Sequence, residues 1–250
     1  MAQTITLVLI VATIVVNGLA NALPINGQGT GEISDRFQVY FTPAGYVFSI
    51  WGIIYLGLIA YGIYQALPRQ RDNLLLKAMA WPFWVSSLAN IGWILLWHYE
   101  FFPLTLLVML VLLGSLALIY RQLGRQPRAS AAELWCVRIP FSIYSGWITV
   151  ATIANLTVVL EYAGLRPFGI GAEPWALGMV ILGTIIAAAV GWIRKDAAYL
   201  LVIVWAFAGI TVKQGGAMVG VAAAAGAVIA ALLIVRSLLG GGAVQRPTGP

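Results

Sequence analysis

Residues 41–65 read FTPAGYVFSIWGIIYLGLIAYGIYQ. A turn signal, Thr42-Pro43-Ala44-Gly45, leads straight into an apolar run long enough to cross a bilayer, since about 20 apolar residues suffice. Phe48, Trp51 and Tyr55 follow at spacings of three and four, so a helix with a period of ~3.6 residues places them on one face. That face is aromatic rather than aliphatic. In a membrane helix such a face serves as packing surface, as an interfacial belt or as the wall of a ligand pocket.

Working outward, the same type of run recurs. The apolar stretches predict eight spanning helices, at about 4–23, 44–66, 78–98, 103–121, 139–161, 174–193, 198–213 and 217–238. The seventh is the shortest. The fold class expected is therefore all-α, a polytopic membrane helix bundle. Composition agrees: 61% of the chain is hydrophobic and 9% charged, against about 25% charged in an average soluble domain. The net charge of +6 is spread over short loops and forms no nucleic-acid patch. Lys and Arg alternate along the loops. The second, fourth and sixth loops carry three, four and two, while the first, third, fifth and seventh carry one, none, one and one. The positive-inside rule then predicts both termini in the cytoplasm and loop 24–42 outside, in what would be a bacterial cytoplasmic membrane.

The first helix lacks Lys and Arg in residues 1–5, which predicts an uncleaved span rather than a signal peptide. Asn17 and Asn21 lie four apart on one face that should look into the bundle. Loop 24–42 carries Phe37, Tyr40 and Phe41, which fit a lid over the bundle mouth or an interfacial segment resting on headgroups. The third span places Asn90, Trp93 and Trp97 on one face. Trp81 and Trp84 near its start, and Trp97 and His98 near its end, read as headgroup-level residues. The fourth span, PLTLLVMLVLLGSLALIY, reads as a lipid-facing wall. The fifth spaces Tyr144, Trp147, Ala151 and Asn155 by three, four and four, with Pro140 in its first turn. The last three spans are rich in Gly and Ala, with Gly220 and Ala224 as a small-xxx-small step. The tail GGGAVQRPTGP reads as disordered.

Several chemistries are excluded. One histidine, His98, cannot build a multi-histidine metal site, and one cysteine, Cys136, cannot form an internal disulfide. No Asp or Glu falls mid-span, which argues against a carboxylate proton relay. Lys213 ends the seventh span at the interface and reads as a snorkelling lysine. No nucleophile–base pair is visible. What remains is a cluster of Trp51, Tyr55, Asn90, Trp93, Tyr144, Trp147 and Asn155. It fits an apolar site with a few polar anchors, whose flat rings would suit a flat ligand, or plain helix packing.

At these residues the sequence resembles the tryptophan-rich sensory protein family, the TspO or translocator protein group. PAGYVFSIWGIIY resembles that family's P-P-x-W-V-F-x-P-V-W-x-x-L-Y, LANIGWILLW resembles L-N-x-x-W-S-P-L-F-F, and YSGWITVATIAN resembles Y-L-x-W-V-x-F-A-T-x-L-N. The likeness covers about residues 1–162. Departures include Tyr46 where the family has Trp, the missing second proline after Pro43, and a Phe48-to-Trp51 spacing one residue shorter. The resemblance implies a five-helix ligand-binding core over 1–162, closed by a lid that includes Pro43, Tyr46 and Phe48. Additional helices over 163–239 and the disordered tail 240–250 would follow. It implies a porphyrin, haem-like tetrapyrrole or sterol-like lipid as ligand, with Trp51, Asn90 and Trp147 as pocket residues, and a role as sensor or carrier. Porphyrin photodegradation is the one enzymatic activity it leaves open. The competing expectations are a small-solute transporter and an assembly subunit of a larger membrane complex. Expected partners are a small hydrophobic ligand, membrane lipid, and a second copy or complex subunit, with no nucleic acid.

Overall fold

The computed structural model describes residues 1–23, 25–37, 39–125 and 130–240. Among these, nine helices form and no strand does. They are α1 (Ala2–Ala22), a short α2 (Thr30–Asp35), α3 (Ile50–Ala66), α4 (Leu74–His98), α5 (Phe102–Arg125), α6 (Ala131–Tyr162), α7 (Ala172–Ile193), α8 (Ala197–Gln214) and α9 (Met218–Gly240). All but α2 are long and apolar enough to cross a membrane, and the chain is an integral membrane protein. The seventh predicted span is α8. Its 18 residues reach about 27 Å at 1.5 Å per residue, close to the ~30 Å hydrocarbon core. Of the predicted disordered tail, Gly240 closes α9, and 241–250 lie outside the described residues.

Local chemistry sets the boundaries. The α3 helix stops at Leu67, ahead of Pro68. Asn73 caps α4 by accepting from the backbone N–H of Leu75 at 3.0 Å. Asp196 caps α8 by accepting from the N–H of Tyr199 at 3.1 Å. The α6 helix begins at Ala131, not at 139, with Ser130 accepting from the N–H of Glu133. A wide π turn at Leu134–Arg138 precedes Pro140. Such a turn absorbs the missing N–H and the ring of a proline inside a helix, which is why the helix passes through it.

The α6 helix is central, with 61% of its most apolar window buried against 22–56% for the other spans. It packs against α3, α5 and α8, while α4 bridges α1 and α5. The α9 helix closes the bundle against α7 and α8. The α5 helix is not simply a lipid-facing wall. Phe102, Thr105, Met109, Leu112, Leu116, Ile119 and Leu123 form a buried stripe at helical spacing.

The antiparallel helices give the bundle two unlike ends. One carries Arg69, Arg71, Lys77, Arg121, Arg125, Arg138, Arg194 and Lys195, and is called the basic end below. The other carries the α1–α3 connection, which holds α2 and the 3₁₀ turn Gly45–Ser49. This connection lies over the bundle as a lid, with Ile33, Phe41 and Val47 fully buried.

Candidate functional site

Beneath the lid is a cavity of about 40 Å³. Four indoles border it: Trp51 from α3, Trp93 and Trp97 from α4, and Trp147 from α6. Pro43 and Phe48 reach it from the lid and Asn155 from α6. The rings hold one another. Trp147 meets Trp51 edge-on at 6.1 Å and Phe48 edge-on at 5.8 Å, while Trp93 stacks on Trp97 at 5.2 Å. Such pairs contribute about 0.5–1.5 kcal/mol each beyond area burial, so the walls are stiff.

Three predicted residues stand one layer behind. Tyr55 stacks on Trp51 at 5.6 Å. Tyr144 packs edge-on to Trp51 and accepts a hydrogen bond from Asn90 Nδ2 at 2.9 Å. Asn90 Oδ1 in turn accepts from Asn17 Nδ2 at 2.7 Å. A polar thread thus ties α1, α4 and α6, and Asn17 faces the bundle interior as its spacing predicted. A second thread runs from Trp93 Nε1 to Asn155 Oδ1 at 3.3 Å and from Asn155 Nδ2 to Thr105 Oγ1 at 2.9 Å. Tyr46, expected in the lid, lies on it but points away from the cavity, edge-on to Trp205 of α8 at 5.3 Å.

Against these satisfied groups one stands out. Trp147 borders the cavity, and its indole N–H is buried with no hydrogen-bond partner. A buried donor left unmade costs about 1–3 kcal/mol. Trp147 is therefore the wall residue with an unused hydrogen bond to offer an acceptor on a bound molecule.

The lid is fastened on two sides. On the α4 side, Trp97 Nε1 donates to the Thr30 carbonyl at 3.2 Å. His98 sits 3.1 Å from Thr30 Oγ1 through Nε2 and 3.3 Å from the Ile25 carbonyl through Nδ1. The carbonyl can only accept, so Nδ1 carries the proton and Nε2 accepts from the threonine hydroxyl. Trp97 and His98 are thus anchors buried by the lid, not headgroup-level residues. Trp84 also turns inward, donating to Thr6 Oγ1 at 2.9 Å, whereas Trp81 remains 55% exposed. On the α8 side, the Ala44 N–H donates to the Gly209 carbonyl and Trp205 Nε1 to the Val47 carbonyl, both at 3.1 Å. Lys213 is not merely snorkelling. Its ammonium pairs with Asp35 at 2.8 Å and donates to Thr42 Oγ1 at 3.2 Å. Gln214 donates to the Tyr40 carbonyl at 2.9 Å.

Sequence reading missed the Thr30, Ser34 and Thr42 side of the cavity and Met109 of α5. Thr105 and Ser115, polar residues on one stripe of an aliphatic helix, were the available signal for α5. Replacing His98 with alanine should raise amide exchange across Thr30–Asp35 about tenfold, because each lost bond is worth ~0.5–1.5 kcal/mol. Exchange at the wild-type rate in that variant would mean the lid is held without His98.

A family model described as TSPO-like protein matches residues 3–236. The match extends through α7 and α8 and most of α9, well beyond the motif-bearing first 162 residues. Comparison with curated proteins and with solved structures finds no match.

Proposed function

The chain belongs to the TSPO-like protein family, and from that premise we propose that it binds a flat hydrophobic ligand in the cavity under the lid, as a sensor or carrier. A porphyrin or other tetrapyrrole, or a sterol-like lipid, has the required shape. The observation that carries this reading is the unpartnered N–H of Trp147, a residue that lines an aromatic-walled cavity. Rings at right angles to one another offer both faces and edges to a flat guest.

The closed cavity is small. Its ~40 Å³ is far below the roughly 300–1,000 Å³ that ligand sites usually span. Binding therefore requires the lid to lift, and the lid's polar fastenings set the free energy of that opening. The same fastenings fit a gate. They are hydrogen bonds and two partly exposed ion pairs, Asp35–Lys213 and Arg36–Glu100, individually weak and together closed. The loop charge pattern supports a lid facing outward and both termini in the cytoplasm.

Protoporphyrin IX titrated into the detergent-solubilised protein should give saturable 1:1 binding, read by tryptophan quenching and the porphyrin absorption band together. Trp147→Phe keeps the ring and removes the N–H, and should weaken binding about tenfold, the worth of one buried hydrogen bond. Trp51→Ala should weaken it more. Binding that survives both changes would place the ligand elsewhere and end this reading.

A further inference from the structure

At the basic end, between the α3–α6 pair and α8, runs a groove of about 880 Å³, within the size range of ligand sites. Its walls and its end differ sharply. The walls are Ile50, Ile53, Ile143, Leu201, Val202 and Trp205. Ile53 is 57% exposed and Leu201 58%, although both lie inside membrane-spanning segments. The groove therefore opens sideways into hydrocarbon rather than into water.

Its end is polar and cationic. Arg138, Arg194 and Lys195 line it with Asp196, and Glu133 pairs with Arg138 at 2.8 Å. Three cations thus face two carboxylates. Asp196 is already occupied: its Oδ2 accepts from Tyr120 Oη at 2.7 Å and from Ser142 Oγ at 2.6 Å. The Arg194 guanidinium donates to the Tyr120 carbonyl at 2.6 Å and sits 4.6 Å from that ring's centroid. One hydrogen bond uses one of its five N–H groups. Among the described residues neither Arg194 nor Lys195 makes an ion pair. Lys195 is exposed and sits at φ +52°, a backbone state uncommon for a non-glycine residue. The two cations stand side by side where a membrane's phosphate layer meets its acyl chains.

We infer that this groove is a specific site for one anionic phospholipid. The acyl chain lies along Ile53, Leu201 and Trp205, and the headgroup phosphate rests on Arg194 and Lys195. Lateral opening selects a lipid over a water-borne molecule, and the unpaired cations select an anionic head over a neutral one. Basic pockets between spanning helices on the cytoplasmic side hold anionic headgroups by this logic. Gly124 contributes by having no side chain, because a Cβ there would fall on the Arg194 guanidinium. The site shares no lining residue with the cavity under the lid, and lipid binding here does not depend on whether the cavity takes a ligand of the class proposed above.

The test is native mass spectrometry of the full chain in mild detergent, with dioleoylphosphatidylglycerol or dioleoylphosphatidylcholine added. The expected result is one phosphatidylglycerol per chain, retained at collision energies that strip phosphatidylcholine. The double variant Arg194→Gln, Lys195→Gln should bind phosphatidylglycerol at least tenfold more weakly. Gly124→Ala, which displaces the guanidinium without removing a charge, should weaken it severalfold. Unchanged melting temperatures check that both variants remain folded, and protoporphyrin titration in lipid-free detergent should also be unchanged, which separates failure here from failure of the cavity reading. Equal retention of the two lipids, or undiminished binding in the double variant, would overturn the proposal. Competition by inorganic phosphate alone would reassign the site to a free anion. A rise in lipid binding on removal of 241–250 would make that segment the occupant instead.

Discussion

Replacing Gly209 with valine should hold the lid off α8 and open the cavity. A Cβ at this position would run into the Val47 side chain and come within 3.1 Å of Pro43 Cβ. Only glycine lets the lid lie flat on the helix there. Lifting the lid breaks the Ala44–Gly209 and Trp205–Val47 hydrogen bonds. Two such bonds amount to about 1–3 kcal/mol, so the open fraction should rise roughly five- to a hundredfold. The expected readouts are faster amide exchange in 39–49 and porphyrin association accelerated by at least tenfold. Gly178→Val is the control, because a Cβ at Gly178 of α7 meets nothing within 4 Å. Should Gly209→Val fail to fold, Lys213→Ala with Gln214→Ala removes three other fastenings on the same side. Association rates equal to wild type in both variants would show that the lid does not gate entry.

The second large effect is on stability. Asn90→Leu should lower the melting temperature by roughly 5–10 °C, because it breaks two buried hydrogen bonds and leaves their partners each one bond short, for about 2–4 kcal/mol in all. Asn17 loses one acceptor while keeping the Thr13 carbonyl at 2.9 Å, and Tyr144 loses its donor, in a region closed to water. The double variant Asn90→Leu, Tyr144→Phe should lose less than the sum of the singles, since the Asn90–Tyr144 bond is counted in both. Strict additivity would mean that the bond contributes nothing. Asn90 stands behind the cavity wall, so ligand affinity should fall less than stability does.

The eight spans were legible in the sequence because length and apolarity alone define them. Convergence of the three aromatic–amide segments was legible too, since spacings of three and four fix which residues share a helix face. Depth along the helix was not. Trp51 opens α3 at the lid end, whereas Trp97 and Asn155 approach the same end from the far termini of α4 and α6. Tyr55, Asn90 and Tyr144 share their faces but lie a turn or more further in, and a helical turn is ~5.4 Å. That is enough to move a residue from wall to backing. The alternating helix directions held this information, but face periodicity does not express it. His98 and Trp97 were misread because a helix end looks interfacial until a distant loop covers it. The α8 fastenings left almost no trace, for they join residues more than 150 positions apart.

Trp205 belongs to two compartments. It borders the groove at its lid-ward end, and its N–H holds the lid through Val47. Ser49 and Ile50, which follow the cavity residue Phe48 directly, border the same groove. Coupling between two binding events is reciprocal by thermodynamic necessity. A groove occupant that steadies Trp205 in its present seat disfavours ligand entry above, and a ligand that lifts the lid loosens the occupant by the same factor. With both sites filled as proposed, the composition of the surrounding bilayer would act as a heterotropic effector, and the ligand's apparent dissociation constant would be a property of protein and membrane together.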